Sequence, residues 1–273
     1  MATVTVPAGT IDVTTILGTV ADGDTVMFGE GGQTVTTGLT KLSDDGHEPA
    51  YLLIGSGFTG ALGGSSGALK CSVTTLVVYG ASGGTCYLWA GGTGTAFARV
   101  KSISTGGNLY LTTGGTVTLL EPGSGSTYTS EAVIVTTCKQ SGGNNQALYN
   151  ATAITTYEQS GGTATVQRTI TTLNQYAGAM TIGRDDTSAT APTSTTMNVG
   201  GTVTARAAMG NITTLNLVGN GSIDLSNVRT PLTITNLNGS WAARKRSRLT
   251  SQYATITITN NNTPYAGPDD VAP

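Results

Sequence analysis

A β-branched residue, two threonines, an apolar residue and a polar stretch closed by a glycine turn recur along this chain. The phrase reads Val73-Thr74-Thr75-Leu76, Ile154-Thr155-Thr156-Tyr157, Ile170-Thr171-Thr172-Leu173 and Ile212-Thr213-Thr214-Leu215, with weaker copies beginning at Val13, Val35 and Val135. The turn after it is nearly as regular: Ser82-Gly83-Gly84, Ser141-Gly142-Gly143 and Ser160-Gly161-Gly162. Apolar residues are not sustained at i, i+3 and i+4, so the pattern predicts almost no helix. Short β-branched runs bounded by Gly, Asn, Asp or Ser predict strands instead. They fall at residues 3–6, 24–28, 33–38, 51–54, 75–79, 85–89, 100–104, 108–112, 116–120, 132–138, 153–157, 163–168, 170–174, 179–182, 197–199, 201–205, 213–218, 222–225, 231–237 and 255–259.

The spacing of the phrase selects among all-β architectures. Val135 and Ile154 are 19 residues apart, Ile154 and Ile170 are 16, and Ile170 and Ile212 are 42, which fits two turns of 21. Hairpins need two-residue Asn-Gly or Asp-Gly turns between paired strands. Such dipeptides, Asp45-Gly46 and Asn220-Gly221 among them, are too few for so many strands. A chain that coils once every 16 to 25 residues or so lays each strand on its equivalent one rung below. The predicted fold is therefore all-β, a single-stranded parallel β-helix (β-solenoid) with an extended C-terminal arm. A β-sandwich or jelly roll, which also has many short strands, is the competing architecture. In the solenoid, stacked threonines form hydroxyl ladders outside and stacked Val, Ile and Leu fill the inside. The unequal period predicts excursions from the body at 41–49 and 185–192. The expected organisation is an N-terminal strand and cap over 1–20, the parallel β-helix over 21–240, and a basic segment with an extended arm over 241–273.

Composition narrows the class further. Only 10% of the 273 residues are charged, against about 25% in ordinary globular chains. Disorder is disfavoured, because β-branched residues are plentiful and charge is scarce. No apolar run approaches the roughly 18 residues of a membrane span. A net charge of −2 gives no global attraction to nucleic acid or membrane. No basic, then apolar, leader opens the chain. The three cysteines, Cys71, Cys86 and Cys138, match no metal or redox spacing and are expected as free thiols, Cys86 and Cys138 as small core residues.

The chain changes character at Trp241. Trp241-Ala242-Ala243-Arg244-Lys245-Arg246-Ser247-Arg248 holds four of the 13 basic residues. Asn260-Asn261-Asn262-Thr263-Pro264-Tyr265 follows a final strand and is not expected to form regular structure. Nucleic-acid binding fits the basic cluster poorly, because no basic face or interleaved aromatics support it elsewhere. Docking on an acidic protein surface fits better, with Trp241 and Tyr265 as apolar anchors, since aromatics and arginine are enriched at interfaces. A solvated surface patch is the plain alternative. The candidate partner-binding residues are Trp241, Arg244, Lys245, Arg246, Arg248 and Tyr265.

Signals for catalysis are weak. A single histidine, His47, rules out a His-pair zinc site within one chain and argues against a Ser-His-Asp triad. Its neighbours Asp44, Asp45 and Glu48 match no metal loop and read as a solvated acidic loop. Asp185-Asp186, after Arg184, could be a carboxylate pair for glycoside hydrolysis. Successive strand residues point to opposite faces, however, and the 5% aromatic content leaves few sugar platforms. Asp22-Gly23-Asp24 reads as a turn before a strand. Gly60–Gly67 and Gly91-Gly92-Thr93-Gly94 lack a following Gly-Lys-Ser/Thr and read as turns, not a phosphate cradle. No catalytic residue, cofactor or metal site is expected.

The Thr-Thr rungs, the Ser-Gly-Gly corners, the start Ala2-Thr3-Val4-Thr5-Val6 and the extended C-terminal segment together resemble viral structural proteins of the parallel β-helix type, particularly those of tailed bacteriophages. The resemblance covers most of the chain in style and rests on no diagnostic motif. Head decoration (cement) proteins of that class sit as trimers on a capsid. Tailspikes and fibres are trimers that bind or cleave cell-surface glycan. Low charge, small size and a basic arm fit decoration. The resemblance thus implies a non-enzymatic homotrimer on the outer capsid surface, made in the host cytoplasm without a signal peptide. Its partner would be the major capsid protein, with no nucleic acid, membrane or small-molecule substrate. A tailspike or receptor-binding protein is the alternative, then a free polysaccharide lyase or hydrolase; a bacterial adhesin is disfavoured by the missing export signal.

Overall fold

Alternation of apolar and polar residues gives a strand one face for a core and one for solvent. Here the alternation is repeated in register from rung to rung, and the consequence is two stacked parallel sheets per unit. The computed structural model describes residues 3–6, 9–11, 21, 23–31, 33–35, 51–58, 61–62, 73–78, 87–90, 96–102, 108–111, 115–130, 133–148, 152–187 and 190–263. His47 with Asp44, Asp45 and Glu48, the copy at Val13, Ser82-Gly83-Gly84, Cys71, Cys86, Asp22, Gly91–Gly94 and Tyr265 lie outside the described residues. The chain forms two compact units, Met1–Asn150 and Ala151–Pro273.

In the first unit the strands in chain order are β1 (Thr3–Val6), β2 (Gly9–Ile11), β3 (Thr25–Gly31), β4 (Gln33–Val35), β5 (Tyr51–Phe58), β6 (Ala61–Leu62) and β7 (Val73–Val78). They continue through β8 (Tyr87–Ala90), β9 (Ala96–Ser102), β10 (Asn108–Leu111), β11 (Thr116–Pro122), β12 (Ser126–Thr129), β13 (Ile134–Gln140) and β14 (Asn144–Ala147). Odd strands stack in sequence in a first sheet and even strands in a second, all parallel. Val73, Phe97, Val117 and Val135 occupy one register column, so two copies of the repeated phrase fall on equivalent positions. Val35 does not belong with them, because β4 lies in the second sheet. Before β3, Asp24 closes the expected turn by accepting a hydrogen bond from Ala21 N at 3.0 Å.

The second unit repeats the design with β15 (Ile154–Gln159), β16 (Thr163–Val166), β17 (Ile170–Gln175), β18 (Ala179–Ile182), β19 (Ser194–Val199), β20 (Thr202–Ala205), β21 (Ile212–Leu217), β22 (Ser222–Asp224), β23 (Leu232–Gly239), helix α1 (Trp241–Arg246) and β24 (Ile256–Asn261). Odd strands and then β24 make its first sheet, and even strands its second. Every copy of the phrase begins in one column, Ile154–Ile170–Ser194–Ile212–Ile234. The expected two turns between Ile170 and Ile212 therefore pass through Ser194-Thr195-Thr196-Met197, a copy disguised by its leading serine.

Two five-residue columns lie inside that sheet, beside a third made of Gln159, Gln175, Val199 and Leu217. One is the phrase-leading column; the other is Tyr157, Leu173, Met197, Leu215 and Leu237, and all ten residues are buried. Burying one such apolar side chain contributes about 1.5–3 kcal/mol, so these stacks hold the rungs together. Both threonines of each phrase face outward, a break in strict alternation repeated at each rung. Thr156, Thr172, Thr196 and Thr214 stack in register, as expected.

The hydrogen-bonded ladder is nevertheless built of asparagine. Asn198 Nδ2 donates to Asn174 Oδ1 at 2.7 Å, Asn216 to Asn198 at 2.6 Å, Asn238 to Asn216 at 2.8 Å and Asn262 to Asn238 at 2.9 Å. Successive members are 24, 18, 22 and 24 residues apart, so the coil length varies while the register does not. The first-to-second-sheet corners stay short, as at 160–162 and 176–178, and the variation is taken up by the returns, which include 167–169, 183–193 and 206–211.

Those short corners are fastened from inside by glutamines. Gln140 Nε2 donates to Gly142 O at 3.0 Å, and Gln159 Nε2 to Gly162 O at 3.3 Å and Ala179 O at 3.2 Å. Buried Gln175 donates to Gln159 Oε1 at 3.0 Å, Gly178 O at 3.3 Å and Thr202 O at 3.1 Å. The last corner residue takes a left-handed backbone, with φ +74° at Gly162 and +89° at Gly178. A Cβ on Gly178 would lie 2.6 Å from Gly162 O, so stacked corners demand glycine there.

Four strands were not foreseen from the sequence: β2, β6, β12 and β14. β14 reads Asn-Asn-Gln-Ala, yet Asn145 and Ala147 are buried, and Asn145 Nδ2 donates to the free thiol of buried Cys138 at 3.5 Å. Two corrections fall near the C-terminal end. Residues 241–246 form a helix where none was expected. Asn260 and Asn261, expected to be irregular, complete β24 in register with Asn236 and Leu237, and Asn260 Nδ2 donates to Asn236 Oδ1 at 2.9 Å.

Candidate functional site

The basic cluster is organised by α1. Ser240 caps the helix by accepting from Ala243 N at 3.2 Å, and Ser247 Oγ donates to Ala243 O at 3.0 Å. Buried Ala243 faces inward, and Ile223 N of β22 donates to Ser247 Oγ at 3.1 Å. Arg248 then pairs with the edge of β22: its N–H donates to Ile223 O and its carbonyl accepts from Leu225 N, both at 2.8 Å. The helix and Arg248 thus cover β22, the final strand of the second sheet, whose open edge would otherwise invite foreign strands.

This arrangement sorts the expected docking residues. Arg244, Lys245 and Arg246 fill the last helical turn, where the helix dipole favours cations. Lys245 Nζ lies 4.7 Å from the centroid of the Trp241 ring, a cation–π contact. Arg246 Nη2 donates to Gly219 O at 2.9 Å. Arg248 acts on Asp224: burial pushes that carboxyl up, but hydrogen bonds from Ser226 and the Arg248 charge outweigh it and hold the carboxyl below its ordinary range. Among the described residues Arg244 has no side-chain partner. Arg246 and Arg248, though exposed, are therefore tied to neighbouring rungs, whereas Lys245 is exposed against Trp241 and Arg244 is half-buried.

Asp185 and Asp186 lie on the return between β18 and β19. Asp185 Oδ2 accepts from Arg206 Nη1 at 2.6 Å, so that carboxylate is committed to an ion pair on the next rung. Among the described residues no group of three or more His, Cys, Asp or Glu is placed to hold a metal. Nor is any helix among them long and apolar enough to cross a membrane.

Several features escaped the sequence reading. Arg168, on the return between β16 and β17, is fully buried, and burial pushes its guanidinium down to about 10. Tyr110 and Tyr128 stack on adjacent rungs of the second sheet, with centroids 4.8 Å apart and planes 8° apart. Tyr176 and Val218 are 66% and 55% exposed at first-to-second-sheet corners. Their signal was available, since each apolar residue directly follows a strand and precedes a corner glycine. None of the protein-family models, curated proteins or solved structures compared with this chain matches it.

Proposed function

We propose that this chain is a non-enzymatic virion structural protein, a capsid-decorating (cement) protein that binds the outer capsid surface as a homotrimer and stabilises it. The observation that carries the reading is the basic helix at the covered edge of the second sheet, with Lys245 exposed against Trp241 and Arg244 beside it without a side-chain partner among the described residues. A cement protein needs a body that resists unfolding and a charged element that meets a neighbour. Stacked rungs supply the first, and α1 supplies the second. The major capsid protein is the partner this reading names. Replacing Arg244 and Lys245 by Gln leaves the Arg246 and Arg248 contacts in place. The variant should co-sediment with particles less than wild type and lose most of the salt sensitivity of binding. Undiminished, salt-sensitive binding by that variant refutes the docking role.

A receptor-binding tailspike is the second reading, favoured by the outward Tyr110–Tyr128 stack beside the polar strand β14. Binding or depolymerisation of host surface glycan by the purified chain, lost in Tyr110→Ser with Tyr128→Ser, supports it over decoration.

A further inference from the structure

We propose that the first-to-second-sheet corner of the second unit is a docking ridge for an acidic, extended polypeptide that carries apolar side chains. The inference rests on the reading of α1 as a docking element and extends it to residues the cluster does not contain. Tyr176 follows β17, Gly200 follows β19, Val218 follows β21 and Ser240, the cap of α1, follows β23, so the four stand at one corner of successive rungs and Trp241 opens the helix one residue further on. Backbone contacts tie the corner together: Gly200 N donates to Gln175 O at 2.6 Å and Val218 N to Val199 O at 2.8 Å. Arg246 reaches back from α1 to Gly219 O at 2.9 Å.

Tyr176 and Val218 are the two most exposed large apolar residues described. Exposed apolar groups gathered on one edge, rather than scattered, mark contact surfaces. They are two rungs apart, about 10 Å, which is the span of three residues of extended chain. Between them Gly200 has no side chain, and a Cβ there would lie 2.8 Å from Gln175 O, so the ridge keeps a notch. Beyond Val218 the ridge meets Trp241, Lys245 and Arg246. The corner segments 160–162, 176–178, 200–201, 218–221 and 239–246 contain three cations, Arg244, Lys245 and Arg246, all at one end, and no Asp or Glu. Charge complementarity therefore selects an acidic occupant, and the exposed Tyr and Val select one with apolar side chains at intervals.

The test uses the full chain and two soluble probes, a glutamate–tyrosine copolymer and polyglutamate of matched length, titrated by fluorescence anisotropy at low salt. Wild type should bind the copolymer about tenfold more tightly than polyglutamate, the gain expected from covering two exposed apolar side chains. Tyr176→Ser with Val218→Ser, both at exposed positions, should erase that preference while keeping polyglutamate binding and the wild-type melting temperature. Equal affinity of wild type for the two probes, no binding of either, or an unchanged preference in the double variant overturns the ridge. Tighter binding of a thymidine oligonucleotide than of the copolymer overturns it in favour of nucleic acid. The two readings fail separately. Loss of particle binding on neutralising Arg244 and Lys245, with no effect of the Tyr176/Val218 pair on the copolymer, removes the ridge and leaves the basic helix.

Discussion

Replacing Gln175 by Glu changes little in size and reverses the chemistry of a buried corner. The amide Nε2 donates to three oxygens, Gln159 Oε1, Gly178 O and Thr202 O, at 3.0–3.3 Å. A carboxylate there is acceptor-only and faces three acceptors in a site closed to water. Such burial raises a carboxyl pKa by several units; a shift of about 3 units corresponds to ~4 kcal/mol between the charged and neutral forms. The protonated acid keeps one donor proton against the amide's two, leaving a residual cost of ~1 kcal/mol from the lost donor. The sign follows from linkage: with the folded pKa raised, the unfolded chain releases its proton first. Stability of Gln175→Glu relative to wild type therefore falls as pH rises from about 4, the ordinary glutamate value, until the raised folded pKa is reached. Thermal unfolding by circular dichroism at pH 4 and pH 8 reads this directly. The deficit against wild type should be far larger at pH 8, while Gln175→Leu should show a deficit of similar size at both. A deficit for Gln175→Glu that does not change with pH would refute the buried, donor-only role of Gln175.

The ladder gives a positional contrast: Asn216→Ala removes two amide hydrogen bonds and should cost ~1–2 kcal/mol in urea unfolding, whereas Asn262→Ala removes one at an exposed end and should cost under ~0.5 kcal/mol. Equal effects contradict a cooperative ladder. Gly178→Ala meets both a positive φ and the Gly162 carbonyl, and should destabilise by ~2 kcal/mol or more. Gly23→Ala, with φ +80° but open space around it, should cost only about 1 kcal/mol. Asp224, held below the ordinary aspartate range, contributes stability above that range that is lost as pH falls through its lowered folded value. Hydrogen-exchange protection at Ile223, Leu225 and Arg248, taken relative to the intrinsic rate at each pH, should fall in acid in wild type and lose that step in Asp224→Asn.

The fold was legible because solenoid stacking writes itself into sequence as recurrence at equivalent positions. Ile154, Ile170 and Ile212 revealed the column, and their spacing held even though the turn between the last two ran through Ser194. Two of the strands that escaped, β12 and β14, have polar residues on the inside, Thr127 and Thr129 in one and Asn145 in the other. β14 carries no β-branched residue, and its inward Asn145 is tolerated because Cys138 accepts its amide proton. The asparagines at 174, 198, 216 and 238 stood beside the phrase in plain view, but a ladder depends on register between rungs, which a linear reading does not supply. Helix α1 was missed because six residues are too few for helical periodicity, and its capping serines looked like loop. At the candidate site the cluster was legible as charge, but not its division: Arg246 and Arg248 are drawn into the fold by Gly219 O and Asp224, neighbours only once the rungs stack. Tyr176 and Val218 were visible singly as apolar residues before corner glycines, but their nearness was hidden, since they lie 42 residues apart in sequence and two rungs apart in space.

The central claim is that this solenoid decorates a capsid, and the most direct test is cryo-EM of virions with and without the protein. The account predicts threefold density on the outer capsid shell, with α1 toward the major capsid protein, and shells that rupture more readily when the protein is absent. Density at the tail tip, or intact shells of unchanged strength without it, would contradict the claim.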